Sequence, residues 1–156
     1  MGKFFSTFNV IAHATMSLTH LESELEIVVK LWLKRHFGLE TIKTSFAFES
    51  KGRHYEIDLF GSRREGWKNS PHYFAVNCIA RRVKKTDFVN FNKVLLHVHN
   101  AAVEGLQDWS ADYALIFSDT GFTNNAITWA KQNGFGAYLK VNADFQEISK
   151  PMQLYY

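Results

Sequence analysis

The stretch Val76-Asn77-Cys78-Ile79-Ala80-Arg81-Arg82 decides how this chain is read. With Tyr73, Phe74 and Ala75 before it, it forms an almost continuous apolar run ending at Ala80. Such a run is expected of a central β-strand covered on both faces. Asn77 is the polar exception within it, and two arginines follow at its end. Upstream, residues 54–61 contain Tyr55-Glu56-Ile57-Asp58-Leu59, whose alternation predicts a strand with Tyr55, Ile57 and Leu59 on one face and Glu56 and Asp58 on the other. Residues 41–50 alternate similarly through Ile42, Thr44, Phe46 and Phe48. Lys51-Gly52 between the two segments predicts a hairpin turn.

Before the hairpin, a helix is expected from about Thr19 to Phe37. Thr19 and Glu22 have capping-box spacing. Leu21, Leu25, Val28, Val29 and Trp32 form the apolar stripe, Lys34, Arg35 and His36 suit the negative end of the helix dipole, and Gly38 supplies the stop. Residues 62–71 read as a polar loop containing Trp67. Thr86 is expected to cap a helix on which Phe88, Phe91, Leu95, Val98 and Ala102 recur at helical spacing. Residues 113–118 read as a buried strand. Thr123 opens a further helix with Ala126, Ile127 and Ala130 inward, ending at Gly134, and residues 137–141 form a last strand. The order predicts an α/β fold: a mixed sheet of about five strands flanked by helices. The chain is one domain, with a core at about 19–141, an aromatic N-terminal segment at 1–18 that suits either a short strand or a helical turn, and an irregular C-terminal tail at 142–156.

The chain has 156 residues, 46% of them hydrophobic, so it can bury a substantial core, and its 14 Phe, 6 Tyr and 4 Trp are expected mostly inside it. The formal charge of +3 permits nucleic-acid binding without requiring it. The single cysteine, Cys78, excludes an internal disulfide, sits in an apolar strand and reads as a buried small hydrophobe; a reducing cytoplasm fits this. No run approaches the roughly 18 apolar residues of a membrane span. Small residues Ala12 and Ala14 after an apolar stretch echo a signal peptide, but Ser6, Thr7 and Asn9 interrupt it, so secretion is not expected.

The Tyr55-Glu56-Ile57-Asp58 strand, the Val76-Asn77-Cys78-Ile79-Ala80-Arg81 strand, and the helix around Ala126-Ile127-Thr128-Trp129-Ala130 with Asn133-Gly134 together resemble the restriction-endonuclease-like, PD-(D/E)xK superfamily. The likeness is to its Holliday-junction-resolvase-like and Mrr-like branch and covers residues 19–141. It implies a three-layer core. An active member of that family carries an acidic residue on the first of these two strands, and a Glu and a Lys two residues apart on the second. The carboxylates hold Mg²⁺, which polarises the phosphate and acidifies a bound water. The lysine positions the attacking water or stabilises the developing charge.

The resemblance places Asp58 at the metal-ligand position, Asn77 where the Glu is expected and Ile79 where the Lys is expected. An amide brings no charge to offset the dehydration of Mg²⁺, and an isoleucine neither donates a hydrogen bond nor carries charge. Losing one electrostatic partner commonly costs ~10²–10³ in rate. Glu22 or Glu26 is expected to supply the helix carboxylate, and spacing does not choose between them; Glu56 is a further acidic group.

The expectation is a catalytically impaired nuclease-fold protein that binds nucleic acid, DNA first, through Arg63, Arg64, Arg81, Arg82, Lys84 and Lys85 along the rim of the cleft. No cofactor is expected, and Mg²⁺ only for an active site. One alternative is a working Mg²⁺-dependent endonuclease with relocated groups drawn from Glu49, Glu56, Asp58 and Lys84. Another is an interaction subunit or homodimer. His97 and His99, two apart on a helix, do not share a helical face and read as exposed or partner-facing rather than as ligands. Trp67 suits stacking on a base or a partner and packing equally.

Overall fold

A computed structural model describes residues 9–65 and 70–156, with side-chain surroundings from residue 21 onward except at 48, 50 and 65. Three helices and six strands follow one another: α1 (Asn9–His36), β1 (Thr41–Ser50), β2 (Arg53–Glu65), β3 (Ser70–Ile79), α2 (Lys85–Val103), β4 (Tyr113–Ser118), α3 (Asn124–Asn133), β5 (Gly136–Val141) and β6 (Asp144–Ser149). The strands form one mixed sheet in sequence order. β1, β2 and β3 are an antiparallel meander, β3, β4 and β5 run parallel through the α2 and α3 crossovers, and β6 returns antiparallel.

Strand alternation divides the core in two. On β4, Leu115 and Phe117 pack with Leu25, Val29, Trp32 and Leu33 of α1. Ala114 and Ile116, pointing oppositely, pack with Phe88, Phe91, Leu95 and Val98 of α2 and Ala126 and Ala130 of α3. Helices therefore cover both faces. The α1 face is strongly aromatic: Trp32 meets Phe117, Tyr138 and Phe145 at ring distances of 5.5, 5.3 and 5.6 Å.

Several expectations hold. Gly38, at φ +64°, follows α1, and α3 opens with Thr123 Oγ1 accepting the Ala126 N–H at 3.2 Å and closes on left-handed Gly134. The β1–β2 turn has positive φ at both Lys51 and Gly52, which matches the twist of the hairpin.

Other expectations are corrected. Thr19 does not cap the first helix, because α1 continues back to Asn9; no Gly or Pro lies between Asn9 and His36 to break it. The 62–71 loop is shorter than expected, since β2 and β3 remain paired from Leu59↔Val76 to Glu65↔Ser70. Thr86 is not the cap of α2. Lys84 holds that position, and Asp87 accepts its backbone N–H at 2.7 Å. The tail is not irregular throughout: β6 adds a sixth strand and sends Phe145 into the α1 face. The aromatic residues of segment 1–8, and Trp67, lie outside the described residues.

Candidate functional site

The sheet forks at Asp58. From Glu65 back to Leu59, β2 pairs with β3; its residues 53–57 pair with β1 alone. On the other branch Asn77, Cys78 and Ile79 pair with β4. Side chains bridge the crotch. The Asp58 backbone N–H donates to Asn77 Oδ1 at 3.1 Å, and the Cys78 backbone N–H donates to Asp58 Oδ2 at 2.8 Å. The two positions on which the resemblance turns are thus in direct contact.

The fork comes with a local twist. Across from Asp58, between the pairs Thr44↔Leu59 and Phe46↔Ile57, Ser45 has φ +55°, a left-handed conformation uncommon outside glycine. The regular alternation predicted for Ile57 and Leu59 fails here: Ile57 packs in the α2–α3 core and Leu59 in the α1 core, on opposite faces of the sheet. This irregularity reverses the facing of β2 on either side of Asp58.

Carboxylates gather at this point. The Asp58 carboxyl is pushed up to about 6, first by burial and further by Glu22 and Glu56, while the Cys78 N–H pulls it down. The Glu26 carboxyl is pushed up to about 7 by burial, then by Asp58, Glu22 and Glu56. Buried Cys78 has its thiol pushed well up, by burial first and then by Asp58, Glu26 and Glu22. α1 and β2 therefore bring Glu22, Glu26, Glu56 and Asp58 into one negative field. Ile79 goes elsewhere, packing against the α2–α3 core.

The fit to Mg²⁺ is poor. The Asp58 carboxylate is engaged by a backbone amide, Asn77 is neutral, and among the described residues no three His, Cys, Asp or Glu side chains are placed to share an ion.

The basic residues do not form one rim. Arg63 Nη1 donates to the Phe37 carbonyl at 2.8 Å, and the guanidinium lies 4.9 Å from the centre of the Phe74 ring, so its group ties the end of α1 to the sheet. Arg63 and Arg64 pair with His72 and Pro71 near the start of β3. Arg81 lies nine positions beyond His72, roughly 30 Å along an extended chain. That physical distance separates them from Arg81, Arg82, Lys84 and Lys85, which follow the end of β3 beside the fork.

Within this second group Arg81 grips Asp87 with two nitrogens at 2.6 and 2.8 Å, while Arg82, Lys84 and Lys85 are exposed. The field of Glu22 reaches Arg81, linking the acidic and basic parts. Sequence reasoning missed Ser118. This fully buried residue donates to the Arg81 carbonyl at 3.2 Å and accepts the N–H groups of Thr120 and Gly121, both at 3.1 Å. With the Val83 N–H bonded to the Gly121 carbonyl at 2.9 Å, it ties the two crossover turns together. The only signal for it was a polar residue closing a buried strand.

His97 and His99 are half-buried rather than exposed: His97 meets the Tyr55 hydroxyl at 2.9 Å, and His99 stacks on Tyr156 with ring centres 4.0 Å apart. Both serve packing within the chain. No helix among the described residues is long and apolar enough to cross a membrane. Compared with known proteins, the chain matches no protein family, no curated protein and no solved structure.

Proposed function

We propose that this chain is a catalytically impaired relative of the PD-(D/E)xK nucleases that binds nucleic acid, DNA first, at the fork of its sheet. The observation that carries the reading is the contact of Asp58 with Asn77 and Cys78 at the divergence of β2 and β3, beside the exposed cations Arg82, Lys84 and Lys85. An acidic residue stands at the fork, and its neighbour on β3 offers an amide in place of a second charge. Phosphates meet the cationic turn, and the backbone is held next to a pair of carboxyls that protonate near neutrality.

The test is a mobility-shift titration of labelled duplex, single-stranded and branched DNA at several salt concentrations, with Mg²⁺ or Mn²⁺ in parallel reactions. Binding is expected to weaken with rising salt at a logarithmic slope of about 3, one unit for each exposed cation engaged. Arg82→Glu, Lys84→Glu and Lys85→Glu together are expected to abolish the shift. No strand scission is expected. Absence of binding at low salt contradicts the binding role, and metal-dependent nicking that disappears in Asp58→Ala contradicts the impairment.

A further inference from the structure

The flank of α1 that faces away from the acidic fork carries Leu21, Glu24, Val28, Leu31 and Arg35, spaced alternately three and four residues apart. Such spacing makes one continuous seam along a helix. Leu31 and Leu21 are 58% and 45% exposed, and Ile27 beside them is 63% exposed, so large apolar side chains stand in water here. Between this flank and the ends of β4 and β5 runs a cleft of about 410 Å³ lined by Leu21, Glu24, Leu25, Val28, Asp119 and Lys140.

We propose that this seam binds the same seam of a second copy of the chain, with the two α1 helices antiparallel about a two-fold axis. Charge complementarity selects this occupant. The seam has a carboxylate at Glu24, a guanidinium at Arg35 and apolar residues between them. An antiparallel copy centred between Val29 and Lys30 sets Val28 against the partner's Leu31 and Glu24 against the partner's Arg35, each twice by symmetry. A parallel pairing sets Glu24 against its own copy and is repelled.

Charges of the chain itself frame the seam. Asp119 and Lys140 border the cleft near Glu24, and Arg35 acts on Asp144 at the start of β6. Glu22 and Glu26 lie on the other flank of α1, so the dimer leaves both forks open. This inference stands independently of nucleic-acid binding.

Sedimentation equilibrium of the full chain tests it. The expected result is twice the chain mass at tens of micromolar. Glu24→Arg and Arg35→Glu are each expected to weaken association roughly tenfold or more, and the double exchange to recover most of that loss, since it restores both pairs with reversed sign. Leu31→Glu is expected to yield a monomer with unchanged circular dichroism. A monomer throughout the accessible concentration range overturns the proposal. So does a dimer indifferent to the single reversals, or a double exchange no tighter than either single.

Discussion

Glu26 and Asp58 hold their protons unusually late for carboxylic acids, because each is partly withdrawn from water inside a field made by other acids. The folded state binds protons that the unfolded chain has already released between pH of about 4 and about 7, so stability falls as pH rises through that window. Glu26→Gln is therefore expected to raise the melting temperature at pH 8 and to change it little at pH 4; thermal melts at both values measure this, and equal shifts at the two contradict it. Asn77→Ala removes the acceptor of the Asp58 N–H and is expected to cost about 1–2 kcal/mol in a denaturant titration. Gly61→Ala sets a Cβ 2.7 Å from the Thr41 carbonyl oxygen, within backbone that has little room to move, and about 1–3 kcal/mol is expected to be lost. The neighbourhood of Asp58 and Asn77 was legible only through the resemblance, which assigns both positions to one site; strand periodicity alone does not say which strands pair. The reversal of faces between Ile57 and Leu59 was not legible, because periodicity assumes a regular strand and the left-handed backbone at Ser45 on the paired strand breaks that assumption.

At the scale of elements, apolar spacing located α2, β4 and α3 because each buries one unambiguous stripe or run. The same signal failed at β6. Its sequence, Asp-Phe-Gln-Glu-Ile-Ser, is mostly polar, since only Phe145 and Ser149 are buried on this edge strand. The strand is nonetheless part of the core: Phe145 packs against Trp32 and Phe117, with ring centres at 5.6 and 5.0 Å. Phe145→Ala is expected to destabilise the fold by about 3 kcal/mol, read from denaturant midpoints, whereas a dispensable tail predicts almost none. The start of α1 was equally hard to locate. Thr19 and Glu22 satisfy a cap pattern, yet helix-forming residues continue upstream with no breaker, and a cap sequence does not stop a helix that has already begun.

For the whole molecule, what matters is where the sheet places opposite charges. The acidic fork and the exposed cations Arg82, Lys84 and Lys85 sit at the same end of β3, while Arg63 is committed to the end of α1. In the proposed complex a phosphate backbone drawn to those cations would lie in the field of Glu22, Glu26, Glu56 and Asp58, and protonation of Glu26 and Asp58 would relieve the repulsion. Among the described residues, Arg81, paired with Asp87, His54, 4.0 Å from Glu56, and the buried Cys78 thiol are further titratable or charged neighbours, so a variant must isolate the carboxyl contribution. The most direct measurement is fluorescence anisotropy of a labelled DNA duplex titrated with the full chain at low salt from pH 5.5 to 8, beside the Glu26→Gln, Asp58→Asn double variant. Binding is expected to tighten as pH falls through about 7 to 6, and the double variant to bind at pH 8 as tightly as the wild type does at pH 5.5. Absence of binding across the range, or a pH dependence unchanged in the double variant, contradicts nucleic-acid binding at the fork.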